Sequence, residues 1–112
     1  MKILIVEDDC ATRESYRQFL ISEGFNVTCA EDGEHGYQTA LASKFDLIIT
    51  DHNMPRLTGS EMVARLREAD LKTPVIVCTG DLGVKCPSAA AIISKPFDID
   101  SFLTEIRSHV RH

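Results

Sequence analysis

The strongest constraint on the fold is a rhythm of short, uninterrupted apolar runs separated by stretches with helical periodicity. Ile3-Leu4-Ile5-Val6, Leu47-Ile48-Ile49 and Val75-Ile76-Val77-Cys78 are brief and rich in β-branched side chains. Continuous runs of this kind suit strands covered on both faces, as in a parallel sheet flanked by helices. Phe25, Val27 and Cys29 instead alternate with polar neighbours, which predicts a strand at or near a sheet edge. Ala91-Ile92-Ile93 is a fifth, weaker candidate.

The intervening segments read as helices. Tyr16, Phe19, Leu20 and Glu23 share one face, and Gly24 supplies a stop. Asp32 caps a second helix with an apolar stripe of Tyr37, Ala40 and Leu41. Thr58 and Glu61 have the spacing of a capping box ahead of Met62, Val63 and Leu66. Asp98 caps a last helix with Ile99, Phe102, Leu103, Ile106 and Val110 at helical intervals. All four stripes are read as core-facing. Gly83 and Pro87 oppose helix between Gly80 and Pro87, so that stretch is read as a loop with one helical turn at most. Five strands alternating with helices, joined by right-handed crossovers, predict a doubly wound α/β domain with a five-stranded parallel sheet and helices on both faces.

Composition narrows the function classes. The 112 residues have room for one domain, 1–112, and 44% hydrophobic with 26% charged residues is an ordinary globular balance. A net charge of −5 argues against broad nucleic-acid binding, which needs clustered Lys and Arg. No apolar run approaches a membrane span, and Met1-Lys2 is followed by too few apolar residues for a signal peptide. The four cysteines, Cys10, Cys29, Cys78 and Cys86, lack metal-binding spacing and are expected to be reduced thiols in a cytoplasmic protein.

In an open parallel α/β sheet, ligands bind beyond the carboxyl ends of the strands. Glu7-Asp8-Asp9 follows the first strand, Asp51 the third, Thr79 the fourth, and Lys95 the fifth. Singly, each has a bland explanation: a solvated strand end, a cap, a turn, a surface lysine. Their coincidence at four strand ends points to one site. Several carboxylates in one cleft repel each other and stay ionised only around a cation. An all-oxygen donor set suits Mg²⁺. Asp51 can then act as a nucleophile toward a phosphoryl group, with Lys95 and the Thr79 hydroxyl taking phosphoryl oxygens. The product would be a transient aspartyl phosphate.

These residues resemble the receiver domain of response regulators, the phosphoacceptor module of two-component signalling. The resemblance covers essentially the whole chain. It rests on Ile3-Leu4-Ile5-Val6-Glu7-Asp8-Asp9, Asp51-His52-Asn53-Met54-Pro55 with Gly59, Val75-Ile76-Val77-Cys78-Thr79-Gly80, and Ser94-Lys95-Pro96-Phe97. It implies strand order 2-1-3-4-5 and Asp51 as the phosphorylated residue. It further implies that Asp8 binds Mg²⁺ directly, Glu7 acts through a metal-bound water, and the Asn53 carbonyl completes the protein ligands. Thr79 would follow the phosphoryl group and Lys95 would pair with it, aimed by a cis Lys95-Pro96 bond. Asp9 is expected to cap or support rather than ligate, and His52 to be an exposed loop residue. The implied partners are a sensor histidine kinase or histidine phosphotransfer protein and a downstream protein.

Two features depart from the family pattern. Ile92 stands where an aromatic residue is usual, and the stretch from Thr79 to Lys95 is short by about one and a half helical turns, so the fourth helix is expected to be shortened or absent. Both fall on the surface through which many receivers address partners. They motivate an alternative, a receiver-like interaction module working without phosphorylation. A turnover phosphatase would commonly carry a second acid two residues after the nucleophile, where this chain has Asn53; the expectation is a signalling domain and not an enzyme.

Overall fold

The computed structural model describes residues 1–81, 83–95 and 98–109. Its elements run β1 (Lys2–Val6), α1 (Cys10–Ser22), β2 (Asn26–Ala30), α2 (Gly33–Ala42), β3 (Leu47–Asp51), α3 (Gly59–Glu68), β4 (Val75–Thr79), β5 (Ala91–Ser94) and α4 (Ile99–His109). The five strands form one sheet in the order β2-β1-β3-β4-β5, parallel at every pairing. This is the doubly wound arrangement that the apolar runs and the family resemblance imply.

Burial separates the strands as their sequences do. All five residues of β3 and β4 are buried, as are Ile3 to Val6 of β1. The edge strands β2 and β5 alternate between covered and exposed positions. Alternation along the central strands divides the core in two. Ile3, Ile5, Ile49, Ile76 and Cys78 pack with Leu20 of α1 and with Phe102 and Ile106 of α4. Leu4, Val6, Ile48, Val75 and Val77 pack with Ala40 of α2 and with Met62, Val63 and Leu66 of α3. Helices therefore cover both faces.

The predicted caps are present. Asp9 accepts from the Thr12 amide at 2.8 Å, Asp32 from His35 at 2.8 Å, and Asp98 from Ser101 at 2.7 Å. Thr58 and Glu61 form the reciprocal capping box at the start of α3. Two expected stripes are corrected. Leu41 is 47% exposed and Ile99 58% exposed. In α2 Ala40 is buried and Tyr37 packs against the core as expected, and the other buried positions are Gly33 and Gly36. Gly36 lies so close to Val6 and Met62 that a β-carbon would stand 2.7 Å from a Val6 methyl, which leaves no room for a bulkier face. Ile99 sits in the first turn of α4, ahead of the buried Phe102 and Ile106. Glu23 also leaves the core; it caps α1 and pairs with Arg107 of α4 at 3.6 Å. Val110 lies outside the described residues.

No helix is described between β4 and β5, in keeping with the reading of Gly80 to Pro87 as a loop. Cys86 and Ala89 from this connection pack on the α2–α3 side of the core. The Arg67 guanidinium, at the end of α3, donates to the carbonyls of Leu71 at 2.8 Å, Thr73 at 3.0 Å and Ser88 at 3.0 Å. One side chain thus ties the segments entering β4 and β5 to α3.

Helices α1 and α3 end alike, with one difference. In α1, Gly24 (φ 94°) donates to Ile21 and Phe25 donates to Leu20. In α3, Asp70 (φ 64°) donates to Arg67 and Leu71 donates to Leu66. Both are left-handed closures of the kind that favours glycine, and Asp70 also places a negative charge at the negative end of the helix dipole. Asp70→Gly is expected to stabilise the protein by about 0.5–1 kcal/mol, relief of strain and charge outweighing the added freedom of the unfolded chain. Thermal unfolding followed by circular dichroism should show a Tm raised by roughly 3 °C.

Candidate functional site

Register brings the strand ends together. Val6 lies opposite Thr50, Asp51 opposite Cys78, and Thr79 opposite Ser94. The polar residues that end β3 and β4 and follow β1 and β5 therefore emerge at one edge of the sheet. Backbone bonds extend the alignment past the strands: His52 donates to the Cys78 carbonyl at 2.9 Å, and Lys95 donates to the Thr79 carbonyl at 2.7 Å.

Asp51 is the centre of the cluster. Its side chain is 8% exposed, and Oδ1 lies 2.6 Å from Lys95 Nζ. Its carbonyl accepts from the buried Thr50 hydroxyl at 2.9 Å. One carboxylate oxygen each from Glu7, Asp8 and Asp51 lie within 4.8 Å of one another. Asp8 is exposed, whereas Glu7 is buried and its Oε2 accepts from the Asp8 amide at 3.0 Å. Among the described residues, neither Glu7 nor Asp8 has an ion-pair partner within 4.0 Å.

The electrostatics follow from that imbalance. Burial and then the adjacent Asp51 charge push the Glu7 carboxyl up to about 7. Burial pulls the half-buried Lys95 ammonium down, but its bond to Asp51 and the charges of Asp51 and Glu7 outweigh that and hold its pKa above the ordinary value. Burial likewise drives the Cys78 thiol up to about 12, which makes it an inert part of the floor. A pocket of three hard oxygen donors with one ammonium and an excess of negative charge fits a small divalent cation of the Mg²⁺ type.

Thr79 is fully buried at the end of β4, and its Oγ1 accepts from the Asp81 amide at 3.0 Å. Asp81 in turn accepts from Gly83 at 2.9 Å. Accepting from Asp81 does not commit the Thr79 hydroxyl hydrogen. Asn53 is exposed two residues past Asp51. Asp9 faces α1 as its cap and is not in the carboxylate cluster. His52 differs from expectation: it is half-buried, with Nδ1 3.1 Å from the Ser60 hydroxyl of α3. The Lys95-Pro96 peptide and Phe97 lie outside the described residues.

Sequence reading passed over the groups that hold Asp51 and Glu7 in place. The Thr50 hydroxyl lies between the apolar run and Asp51 and belongs to no motif. Arg13, whose NH1 donates to the Glu7 carbonyl at 2.8 Å, carries no motif at all. Gly59 was visible as part of a motif without its reason. A β-carbon there would stand 2.6 Å from the Asp51 carbonyl oxygen and 3.0 Å from His52 Cα. Both neighbours are backbone and cannot swing away.

The comparisons with known proteins agree with this geometry. Residues 3–107 match the response regulator receiver domain, and the chain belongs to that family. It is 35% identical, over a 117-residue alignment, to the cell cycle transcriptional regulator CtrA of Caulobacter vibrioides, covering 99% of this chain and 51% of that protein. It is 34% identical over 122 residues to the transcriptional regulatory protein DltR of Streptococcus agalactiae, covering 99% and 52%. The chain thus spans about half the length of these curated relatives. Among solved structures, TrrA of Thermotoga maritima, in complex with Mg²⁺-BeF, superposes with a TM-score of 0.90 at 25% identity, covering 97% of this chain and 98% of that one. CheY4 of Vibrio cholerae gives 0.87 at 28%, with the same coverage. The receiver domain of the hybrid histidine kinase CckA gives 0.83 at 28%, covering 99% and 100%.

Gly59→Ala tests how tightly the site is built. The added methyl must part the start of α3 from the end of β3, at an expected cost of about 2 kcal/mol. Urea unfolding should show the lowered midpoint, with the slope unchanged.

Proposed function

We propose that this chain is a phosphoacceptor in a two-component or phosphorelay pathway, with Asp51 as the residue that receives the phosphoryl group. The observation that carries the reading is Asp51 between two uncompensated acids and the Lys95 ammonium, at the converged strand ends of a receiver fold. The donor is a phosphohistidine on a sensor kinase or a histidine phosphotransfer protein. An Asp51 carboxylate oxygen forms the new P–O bond while the P–N bond of the donor breaks, its electron pair leaving on the imidazole nitrogen.

Glu7, Asp8, Asp51 and the Asn53 carbonyl would hold Mg²⁺. Bound there, the cation offsets the repulsion between the carboxylates and the incoming phosphoryl oxygens. Lys95, in contact with Asp51 at 2.6 Å, would transfer its bond to a phosphoryl oxygen. The Thr79 hydroxyl hydrogen donates to another. Positioning and charge do the work; no general base is required for a carboxylate nucleophile. The complex of TrrA with Mg²⁺-BeF supports this assignment of the pocket.

The reading makes residues 1–112 one cytoplasmic receiver domain whose only chemistry is its own phosphorylation and dephosphorylation. The phosphorylated state signals to a protein partner, and neither nucleic acid nor membrane is a direct ligand of these residues. Among the described residues no helix is long and apolar enough to cross a membrane. The alternative of a module working without phosphate is not favoured, because the acid, threonine and lysine set is complete.

Incubation with Mg²⁺ and acetyl phosphate, followed by intact mass, should add one phosphoryl group. Chelation of the metal or Asp51→Asn should abolish it. Lys95→Ala should slow incorporation by about a hundredfold, the usual cost of removing a preorganised charge-stabilising donor. Undiminished incorporation in Asp51→Asn would remove Asp51 from its role.

A further inference from the structure

We infer that Arg13 is a positioning residue for the divalent-cation site, acting through the main chain of Glu7. The inference rests on reading Glu7, Asp8 and Asp51 as that site. Arg13 is the fourth residue of α1, half-buried, and its NH1 donates to the Glu7 carbonyl at 2.8 Å. Glu7 is the first residue after β1, where its amide still continues the sheet by donating to Ala30 at 3.1 Å. Its carbonyl is held by Arg13.

Three bonds therefore fix the turn that carries both acids. The Glu7 carbonyl is held by Arg13, the Glu7 carboxylate accepts from the Asp8 amide, and Asp9 caps α1 through Thr12. Arg13 also continues α1 from that cap, donating its own amide to the Asp9 carbonyl at 2.9 Å. Hydrogen bonds thus join helix, turn and strand end.

The choice of partner is the informative feature. Arg13 lies within a few residues of Glu7, Asp8 and Asp9, yet among the described residues no ion pair within 4.0 Å joins it to any of them. The guanidinium takes a neutral carbonyl and makes no close ion pair with Glu7 or Asp8. A salt bridge to Glu7 or Asp8 would have quenched the charge that attracts a cation. The arrangement orients the ligands without competing for them, as hydrogen-bonded supports of metal ligands commonly do.

This role has a sign that a bystander charge does not. Removing a nearby positive charge raises the local negative potential and should tighten cation binding. Removing a support for the turn should weaken it. The experiment is titration of Mg²⁺ by isothermal calorimetry into metal-free wild type, Arg13→Ala, Arg13→Lys and Arg17→Ala, at one pH and ionic strength. Arg17 is one turn further along α1, pairs with Glu14 at 2.9 Å, and controls for the lost charge. We expect Arg13→Ala to weaken Mg²⁺ about tenfold, Arg13→Lys to recover part of the loss, and Arg17→Ala to bind as tightly as wild type or more so. At saturating Mg²⁺ the rate of labelling by acetyl phosphate should return close to the wild-type value in Arg13→Ala. Unchanged or tighter Mg²⁺ binding in Arg13→Ala overturns the inference while leaving the site intact. Failure of the wild type to bind Mg²⁺ overturns the site and the inference together. Should Arg13→Ala prove unfolded by circular dichroism, Arg13→Lys decides: an affinity equal to wild type overturns the inference.

Discussion

Glu7, Asp8 and Asp51 are brought within a few ångströms of each other with a single ammonium in contact, and the rest of the structure is arranged to tolerate that repulsion. Free chains would relieve it by moving the acids apart. Here they cannot, because each is anchored where a buried strand of the sheet ends. Burial first, and then the adjacent Asp51 charge, push the Glu7 carboxyl up to about 7. A divalent cation held among the three acids would resolve the same conflict without protonation.

The supports around the cluster share one logic, which is to engage the main chain of the acids and not their carboxylates. Thr50 gives its hydroxyl to the Asp51 carbonyl, and Gly59 lets the start of α3 close over the same peptide. Arg13 holds the Glu7 carbonyl instead of its carboxylate. Among the described residues, the direct charge pair at the cluster is Lys95 with Asp51. Away from the site the fold economises. The connection from β4 to β5 carries no described helix, Cys86 and Ala89 cover part of the sheet in its place, and Arg67 binds three carbonyls to hold the approach to both strands. Ile92 is left 38% exposed on the edge strand.

Strand periodicity was the most legible part of the sequence, because burial on two faces leaves no choice but continuous apolar runs. Leu47-Ile48-Ile49 and Val75 to Cys78 could be placed from that alone, and the edge position of β2 from its alternation. Caps were equally clear, since Asp9, Asp32, Thr58 and Asp98 each answer a local need of a helix end. Helix faces were less so. Leu41 and Ile99 are apolar residues at the right interval whose burial depends on what lies opposite, and opposite α2 the Val6 and Met62 side chains approach too closely for a β-carbon at Gly36. At the site, the acids, Thr79 and Lys95 were visible as polar residues at strand ends. Arg13, Thr50 and the contact of His52 with Ser60 were not, because their roles come from tertiary neighbours that no spacing encodes.

The most direct test is to locate the phosphoryl group chemically. After Mg²⁺-dependent labelling with acetyl phosphate, borohydride reduces an aspartyl phosphate to homoserine, and peptide mass spectrometry then reads the position. The account predicts homoserine at Asp51 in the wild type and none in protein labelled without Mg²⁺. Reduction at a different acid, or a phosphoryl group that borohydride leaves in place on a hydroxyl side chain, would contradict it.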